Sequence, residues 1–273
     1  MVIYASVTSE SVAALFLGGF IPGVVIGLAL MVLAYVYAVR ENHPCRKEPI
    51  PRKEAGAILA KSTVGLMVPV IILGGILTGI FTPTEAAAVA CAYGLLVGVF
   101  FFRSLNWSNI KECLIETVKT SAMVLIIIAG ARIFGLVLSV ERIPDQVATQ
   151  LLGITQNPIL ILLIFNGFLL IMGMLMEPGS NVIILAPILA PVAIKVGIDP
   201  LHFALVMLVN LNIGMATPPV GISLFVVSSI AKRPFESIAV KAIPFIAVEI
   251  VVLLLITYIP TITLVLPRLF GFH

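Results

Sequence analysis

Apolar residues fall in long blocks, at 15–39, 64–81, 86–102, 120–140, 158–176, 182–196, 201–230 and 242–266, separated by shorter polar stretches. Such blocks are far longer than strands need, and the strict alternation of a lipid-facing barrel is missing, so the pattern predicts helices. Composition agrees with that reading. The chain has 273 residues, 60% of them hydrophobic and 11% charged, where a soluble domain carries about 25% charged residues. Mean hydropathy is +1.20. The expectation is an all-α integral membrane protein with the lipid bilayer as its solvent.

The polar stretches give the orientation, because lysine and arginine collect on the cytoplasmic side. With the first basic loop inside, Arg40, Arg46, Lys47, Arg52, Lys53, Lys61, Arg103, Lys111, Lys119, Lys232, Arg233 and Lys241 all fall inside. Only Arg142, Lys195 and Arg268 fall outside, and Arg132 lies within a span. Residues 52–62 set small and apolar positions against charged ones, as a helix lying in the interface would. A second short amphipathic piece is expected around 144–155. The net charge of +3 reflects these loops, and no nucleic-acid partner is implied. No glycine-rich phosphate loop is present, so any energy source is a gradient or a partner. Cys45, Cys91 and Cys113 form no C-x-x-C pair and have no histidine at ligand spacing, which argues against a transition metal. His43, His202 and His273 stand at segment ends and read as interfacial. Met1 to Ser11 lacks the basic start of a cleavable signal.

The costly residues lie inside the apolar blocks. NLNIGMATPPVG, residues 210–221, holds two prolines, two glycines, two asparagines and a threonine. Pro218 and Pro219 donate no backbone hydrogen bond, and each clashes with the carbonyl one turn earlier. In hydrocarbon a freed carbonyl costs several kcal/mol unless protein, water or an ion satisfies it. Two readings follow: a kink relieved by neighbouring helices, or a broken helix whose loose carbonyls hold a cation or substrate. A cluster of this density favours the second. MEPGSN, residues 176–181, places Glu177, Ser180 and Asn181 at a turn made by Pro178 and Gly179. Its second arm, 182–196, is shorter than the about 20 residues a full crossing wants. A re-entrant hairpin is therefore preferred over an ordinary loop between two crossings. Its tip would then face the 210–221 break, and both are rich in the oxygen ligands that a hard cation such as Na⁺ prefers.

TPTE, residues 82–85, reads first as a capped helix start: Thr82 as cap, Pro83 in the first helical position, then Thr84, with Glu85 in the first turn. Direct chemistry at Glu85 is the alternative. Arg132 and Glu249 are ionisable residues inside spans, either paired within the bundle or functional. The pairs Gly18–Gly19 and Gly74–Gly75 suggest close helix packing. No Ser-His, Cys-His or paired-carboxylate cluster appears, so an enzyme is not expected.

GIFTPTEAAAVA (79–90), PILAPVAIKVGIDPLHF (187–203) and NLNIGMATPPVGISLF (210–225) occur in an order that resembles the large membrane subunit of tripartite ATP-independent periplasmic (TRAP) transporters. The resemblance covers essentially the whole chain. It implies a bacterial inner-membrane carrier of the elevator type, built from inverted repeats and coupled to Na⁺. Such carriers import organic acids, such as C4-dicarboxylates or sialic acids, delivered by a periplasmic binding protein, and a small four-helix membrane subunit completes them. On this sequence it implies a second unwound helix at 214–220. Cation contacts would come from Ser180, Asn181, Asn210, Asn212, Gly214, Thr217 and Pro218. A substrate cavity would be lined by Glu177, Gly179, Thr217, Pro219 and Val220. No cofactor besides the coupling ion is implied.

The same resemblance matches only the second of the family's two repeats. The expected organisation is the end of the first repeat and an interfacial helix at 1–62, a scaffold at 63–157, a transport part at 158–232 and a final transmembrane helix at 233–273. The opening MVIYASV is similar to an internal stretch of the family pattern. A first polar hairpin, first unwound helix and first Na⁺ site are expected in a separate N-terminal half, or upstream of Met1. Two other classes stay open on the residues alone: a truncated assembly subunit without transport of its own, and another elevator-type carrier.

Overall fold

In the computed structural model the described residues are 1–41, 51–142, 146, 149–150, 153, 155 and 157–272. Side chains at 52–55, 57, 60, 123, 127, 131, 132, 134, 135, 138 and 139 are not among them. Most of the expected amphipathic piece at 144–155 and the side chain of Arg132 therefore lie outside the described residues, as do His43 and His273. All regular structure among the described residues is helical, and six helices are long and apolar enough to cross a membrane. The protein is an all-α, multi-pass membrane protein. The chain divides into two compact units, Met1–Glu41 with Ile126–His273, and Asn42–Leu125.

The first unit opens with α1 (Val2–Thr8) and α2 (Val12–Arg40), whose start is capped by Ser11 accepting from the Ala14 N–H. It continues, after the second part of α5 (Trp107–Val140), with α6 (Pro158–Leu175) and α7 (Pro178–Lys195). Then come α8 (Pro200–Met215), α9 (Ile222–Ala231), α10 (Phe235–Tyr258) and α11 (Thr261–Leu269). Helix α8 is the axis of this unit. It is apolar over most of its surface, as a largely buried helix is, and α2, α6, α7, α10 and α11 all pack on it. Phe203, Ala204, Val206, Met207 and Leu211 have no exposed surface. Phe203 meets Phe165 of α6 edge-on, with ring centroids 5.5 Å apart. Farther along, α6 and α8 touch backbone to backbone. A Cβ added at Gly214 would lie 2.7 Å from the Cα of Gly173.

The second unit contains α3 (Arg52–Leu77), α4 (Pro83–Leu96), a π-helical turn at Val97–Phe101 and the first part of α5. The Tyr93 hydroxyl donates to the Val64 carbonyl at 2.9 Å and ties α4 to α3. The Phe81 ring fills the space a side chain at Gly75 would need.

Several boundaries differ from the sequence expectation. The interfacial helix at 52–62 and the apolar block at 64–81 form one helix, α3. No proline or glycine separates them, and the Thr63 hydroxyl bonds back to Leu59 within the turn. The block at 242–266 is two helices, because Pro260 has no N–H to continue the ladder and Ile259 leaves helical geometry at φ −119° and ψ 80°.

Candidate functional site

Helix α6 ends at Leu175 and α7 begins at Pro178, so the turn is only Met176 and Glu177. Pro178 and Gly179 are not the turn itself, as their composition suggested; they are the first residues of α7. Proline is well placed there because its missing N–H lies among those with no helical partner. The Glu177 carboxylate caps the helix, accepting from the Ser180 N–H at 2.9 Å. Asn181, wholly buried, turns its amide back onto the end of α6 and donates to the carbonyls of Met172 and Met176 at 3.0 and 3.1 Å. These are carbonyls of the last turn, which a helix end leaves short of partners.

The helix break also has narrower bounds than the motif. Asn210, Asn212 and Gly214 are helical, and α8 runs to Met215; the irregular backbone covers 216–221. Proline disrupts the helix on its N-terminal side, so the disturbance begins within the turn before Pro218 and does not reach back to Asn210. The Pro218–Pro219 bond is cis, and Gly221 adopts the left-handed conformation at φ 56°. A Cβ at Gly221 would meet Leu224 and the Thr217 carbonyl. The Thr217 N–H donates to the Gly214 carbonyl, and its hydroxyl donates to Ile213 at 2.7 Å. The carbonyls of Ala216, Pro218, Pro219 and Val220 accept no backbone hydrogen bond among the described residues. Helix α9 then starts without a side-chain cap.

The turn and the break are neighbours because Gly173 and Gly214 touch. Met176 follows Gly173 by one turn, and Ala216 follows Gly214 by half a turn. Glu177, Gly179, Ser180, Asn181 and Thr217, with Pro218, Pro219 and Val220, therefore cluster at one end of the α6–α8 pair.

Asn210 is elsewhere. Its amide donates to the backbone and side-chain oxygens of Asn166 at 3.0 and 2.9 Å. Asn166 precedes Met172 by six residues, about 9 Å along the helix, so Asn181 and Asn210 occupy two levels. Both keep a buried side-chain oxygen with no hydrogen-bond partner among the described residues. Asn212 belongs to neither level; its side chain is exposed and donates to Leu208 of its own helix.

The lower level extends beyond Asn210. The Asn166 amide donates to the Thr257 hydroxyl at 3.0 Å. The Thr257 carbonyl in turn meets the imidazole of His202. His202 is 1% exposed, so its reading as interfacial was wrong: α11 folds back over the start of α8. A single histidine near the end of an apolar block gives no sign of partners some 55 to 61 positions later.

In the second unit Thr82 and Glu85 form a complete capping box. The Thr82 N–H donates to Glu85 Oε2 at 2.8 Å, and the Glu85 N–H donates to Thr82 Oγ1 at 3.3 Å. Pro83 and Thr84 are the first two helical residues. Glu249 is half-buried on α10 and forms no ion pair among the described residues.

Residues 1–262 match the family described as the tripartite ATP-independent periplasmic transporter, DctM component. Over 271 residues the chain is 42% identical to the C4-dicarboxylate TRAP transporter large permease protein DctM of Pseudomonas aeruginosa, covering 99% of this chain and 63% of that protein. It is 43% identical over 261 residues to the isethionate TRAP transporter permease protein DctMQ of Oleidesulfovibrio alaskensis, covering 96% and 41%. It is 39% identical over 270 residues to the sialic acid TRAP transporter large permease protein SiaM of Vibrio cholerae, covering 99% and 63%. The chain thus spans less than two thirds of the length of each. With the three motifs in family order and the all-helical membrane fold, the match places this chain in the DctM family, the large membrane component of TRAP transporters.

Proposed function

We propose that this chain supplies the second-repeat half of a Na⁺-coupled carrier in the bacterial inner membrane, importing an organic acid delivered by a periplasmic binding protein. The observation that carries this reading is the Gly173–Gly214 contact, which sets the Met176–Glu177 turn and the 216–221 break at the same end of the α6–α8 pair. Carbonyls without backbone partners, the Thr217 hydroxyl and the spare oxygen of Asn181 offer a hard cation the neutral oxygens it prefers. In lipid, such backbone is tolerated only where protein, water or an ion shields it. The hairpin would be re-entrant, its tip held at membrane depth against the break.

The uncapped start of α9 adds backbone N–H groups beside the same break, where a helix N-terminus favours an anion. A cation next to a positive helix end suits a carboxylate or a similar small acid. Relatives named for C4-dicarboxylate, sialic acid and isethionate share that chemistry. The remaining oxygens of the transport site would come from an N-terminal repeat, and a small four-helix membrane subunit would complete the assembly. Rigid movement of the hairpin and broken helix would then alternate access.

Reconstitution tests the reading. The complete transporter, in vesicles with its binding protein and an organic acid, should take up substrate with an inward Na⁺ gradient and not with K⁺. Asn181→Ala and Thr217→Ala should each weaken Na⁺ activation. Uptake indifferent to Na⁺, or Na⁺ activation unchanged in both variants, would overturn the proposal.

A further inference from the structure

His202 lies outside the cation and substrate residues and beyond the reach of the turn and the break, yet its surroundings are organised around it. Its Nε2 is 3.0 Å from the Thr257 carbonyl and its Nδ1 is 2.7 Å from the Thr263 hydroxyl. A carbonyl only accepts, so Nε2 carries a hydrogen in every protonation state. Thr257 is in the last turn of α10, which ends at Tyr258. The imidazole therefore occupies a helix C-terminus, where a positive charge is favoured.

The other nitrogen faces a group that serves two states. With Nδ1 bare, the Thr263 hydroxyl donates to it. With Nδ1 protonated, Thr263 accepts from it and donates instead to the Pro260 carbonyl, 2.8 Å away. That carbonyl already accepts from the N–H groups of Thr263 and Leu264, so it is satisfied either way. Neither the neutral nor the cationic imidazole leaves a buried polar atom unpaired, a condition that a purely structural histidine does not require.

A cavity also borders the imidazole. A cavity of about 320 Å³ is lined by His202, Asp199, Thr257, Tyr258, Pro260 and Arg268, among others. Asp199 caps α8, accepting from the N–H groups of Leu201 and His202, and its other oxygen is 3.7 Å from Arg268 Nη2. Glu10, between α1 and α2, lines an adjoining cavity with the same Asp199 and Arg268. Burial and the nearby Asp199 hold the Glu10 carboxyl above its ordinary range. Of the other helices packed on α8, α6 has no ionisable residue and α7 only Lys195, in its last turn. Along α2 none occurs before Tyr35, and α10 contributes Tyr258 at the cavity wall.

We propose that His202 is a proton-binding site, reached through the Asp199–Arg268 cavity, whose protonation at Nδ1 fastens the start of α8 to the α10–α11 junction through Thr257 and Thr263. The proton adds to the Nδ1 lone pair, and the Thr263 hydroxyl turns to Pro260 in response. The hydroxyl of the same Thr257 accepts from the Asn166 amide, and Asn166 accepts from Asn210, so Thr257 links the site to the core beneath the helix break. This inference does not depend on Na⁺ coupling.

Nitrogen NMR of the full chain in detergent, labelled at histidine, decides it. The chain has three histidines, and His43→Gln with His273→Gln leaves a single histidine signal to assign. Between about pH 8 and about pH 4 that signal should pass reversibly from a neutral imidazole with hydrogen on Nε2 to the imidazolium. Thr263→Val removes the acceptor of the charge-assisted bond and should weaken proton binding about tenfold, a midpoint about one pH unit lower. A His202 signal that stays neutral across this range, or a neutral form with hydrogen on Nδ1, would overturn the proposal. A Thr263→Val midpoint identical to that of the parent would do the same. Should Thr263→Val fail to fold, the titration of the parent chain decides alone.

Discussion

The hairpin turn at Met176–Glu177 and the break at 216–221 interrupt helices at the same end of the α6–α8 pair, yet they finish their backbones in opposite ways. The turn closes on itself. Glu177 caps α7, and Asn181 takes two carbonyls from the end of α6. Among the described residues the carbonyls of 216–220 accept no backbone hydrogen bond at the break, and α9 starts without a side-chain cap. A chain that can cap its own ends does so where rigidity is wanted. On the proposed function the groups left open in the neighbouring segment would be taken up by a ligand. The turn would then serve as the fixed wall and the break as the face that responds to that ligand.

The contact that holds the two together gives the largest expected effect. At Gly214 a new Cβ would fall 2.7 Å from Gly173 Cα and 2.9 Å from the Leu170 carbonyl, and backbone on both sides cannot yield as a side chain would. Gly214→Val is expected to destabilise the protein by about 3 kcal/mol, read as a lower thermal midpoint by circular dichroism in detergent. Gly74→Ala is the control. Nothing lies within 4 Å of its new Cβ, and the midpoint should hold or rise slightly. Equal losses in the two variants would mean that the helices do not meet at Gly173 and Gly214.

Asn181→Leu comes next. It strips two carbonyls of their side-chain donor in a buried site, at a cost of about 2 kcal/mol. Asn212→Leu, at an exposed asparagine bonded only to its own helix, should change the same midpoint little. Glu177→Ala is smaller again, about 1 kcal/mol for a lost helix cap. If it exceeds Asn181→Leu, the turn is held from outside rather than by its own residues.

The contrast between turn and break was legible in part. Two prolines followed by a glycine located the break to within a few residues, because neither the missing donors nor the left-handed backbone at Gly221 suits a continuing helix. The same letters misled at Pro178–Gly179, since proline and glycine suit a helix start as well as a turn. Position relative to the capping Glu177 decides between them. Pro260 was hidden inside an apolar block, where hydropathy alone reads through it. The second polar level was not legible at all. Asn166, His202, Thr257 and Thr263 stand singly in four segments, each innocuous, and only the folding of α10 and α11 over α8 joins them.

The smallest expected stability change is also the sharpest test of the comparison. Thr217 is 9% exposed, and its hydroxyl donates to an Ile213 carbonyl that the Ala216 N–H also reaches. Thr217→Val keeps the shape of the side chain and leaves that carbonyl a partner, so the midpoint in K⁺ should fall by less than about 1 kcal/mol. Na⁺ should raise the thermal midpoint of the parent chain above its value in K⁺, because a ligand that binds only the folded state stabilises it in proportion to the logarithm of its concentration. In Thr217→Val that Na⁺-dependent rise should shrink or vanish, while Glu177→Ala, which weakens the wall and leaves the open face alone, should keep it. A rise of equal size in Thr217→Val and the parent would show that the break is not where the ion acts, however well its backbone is placed to receive one.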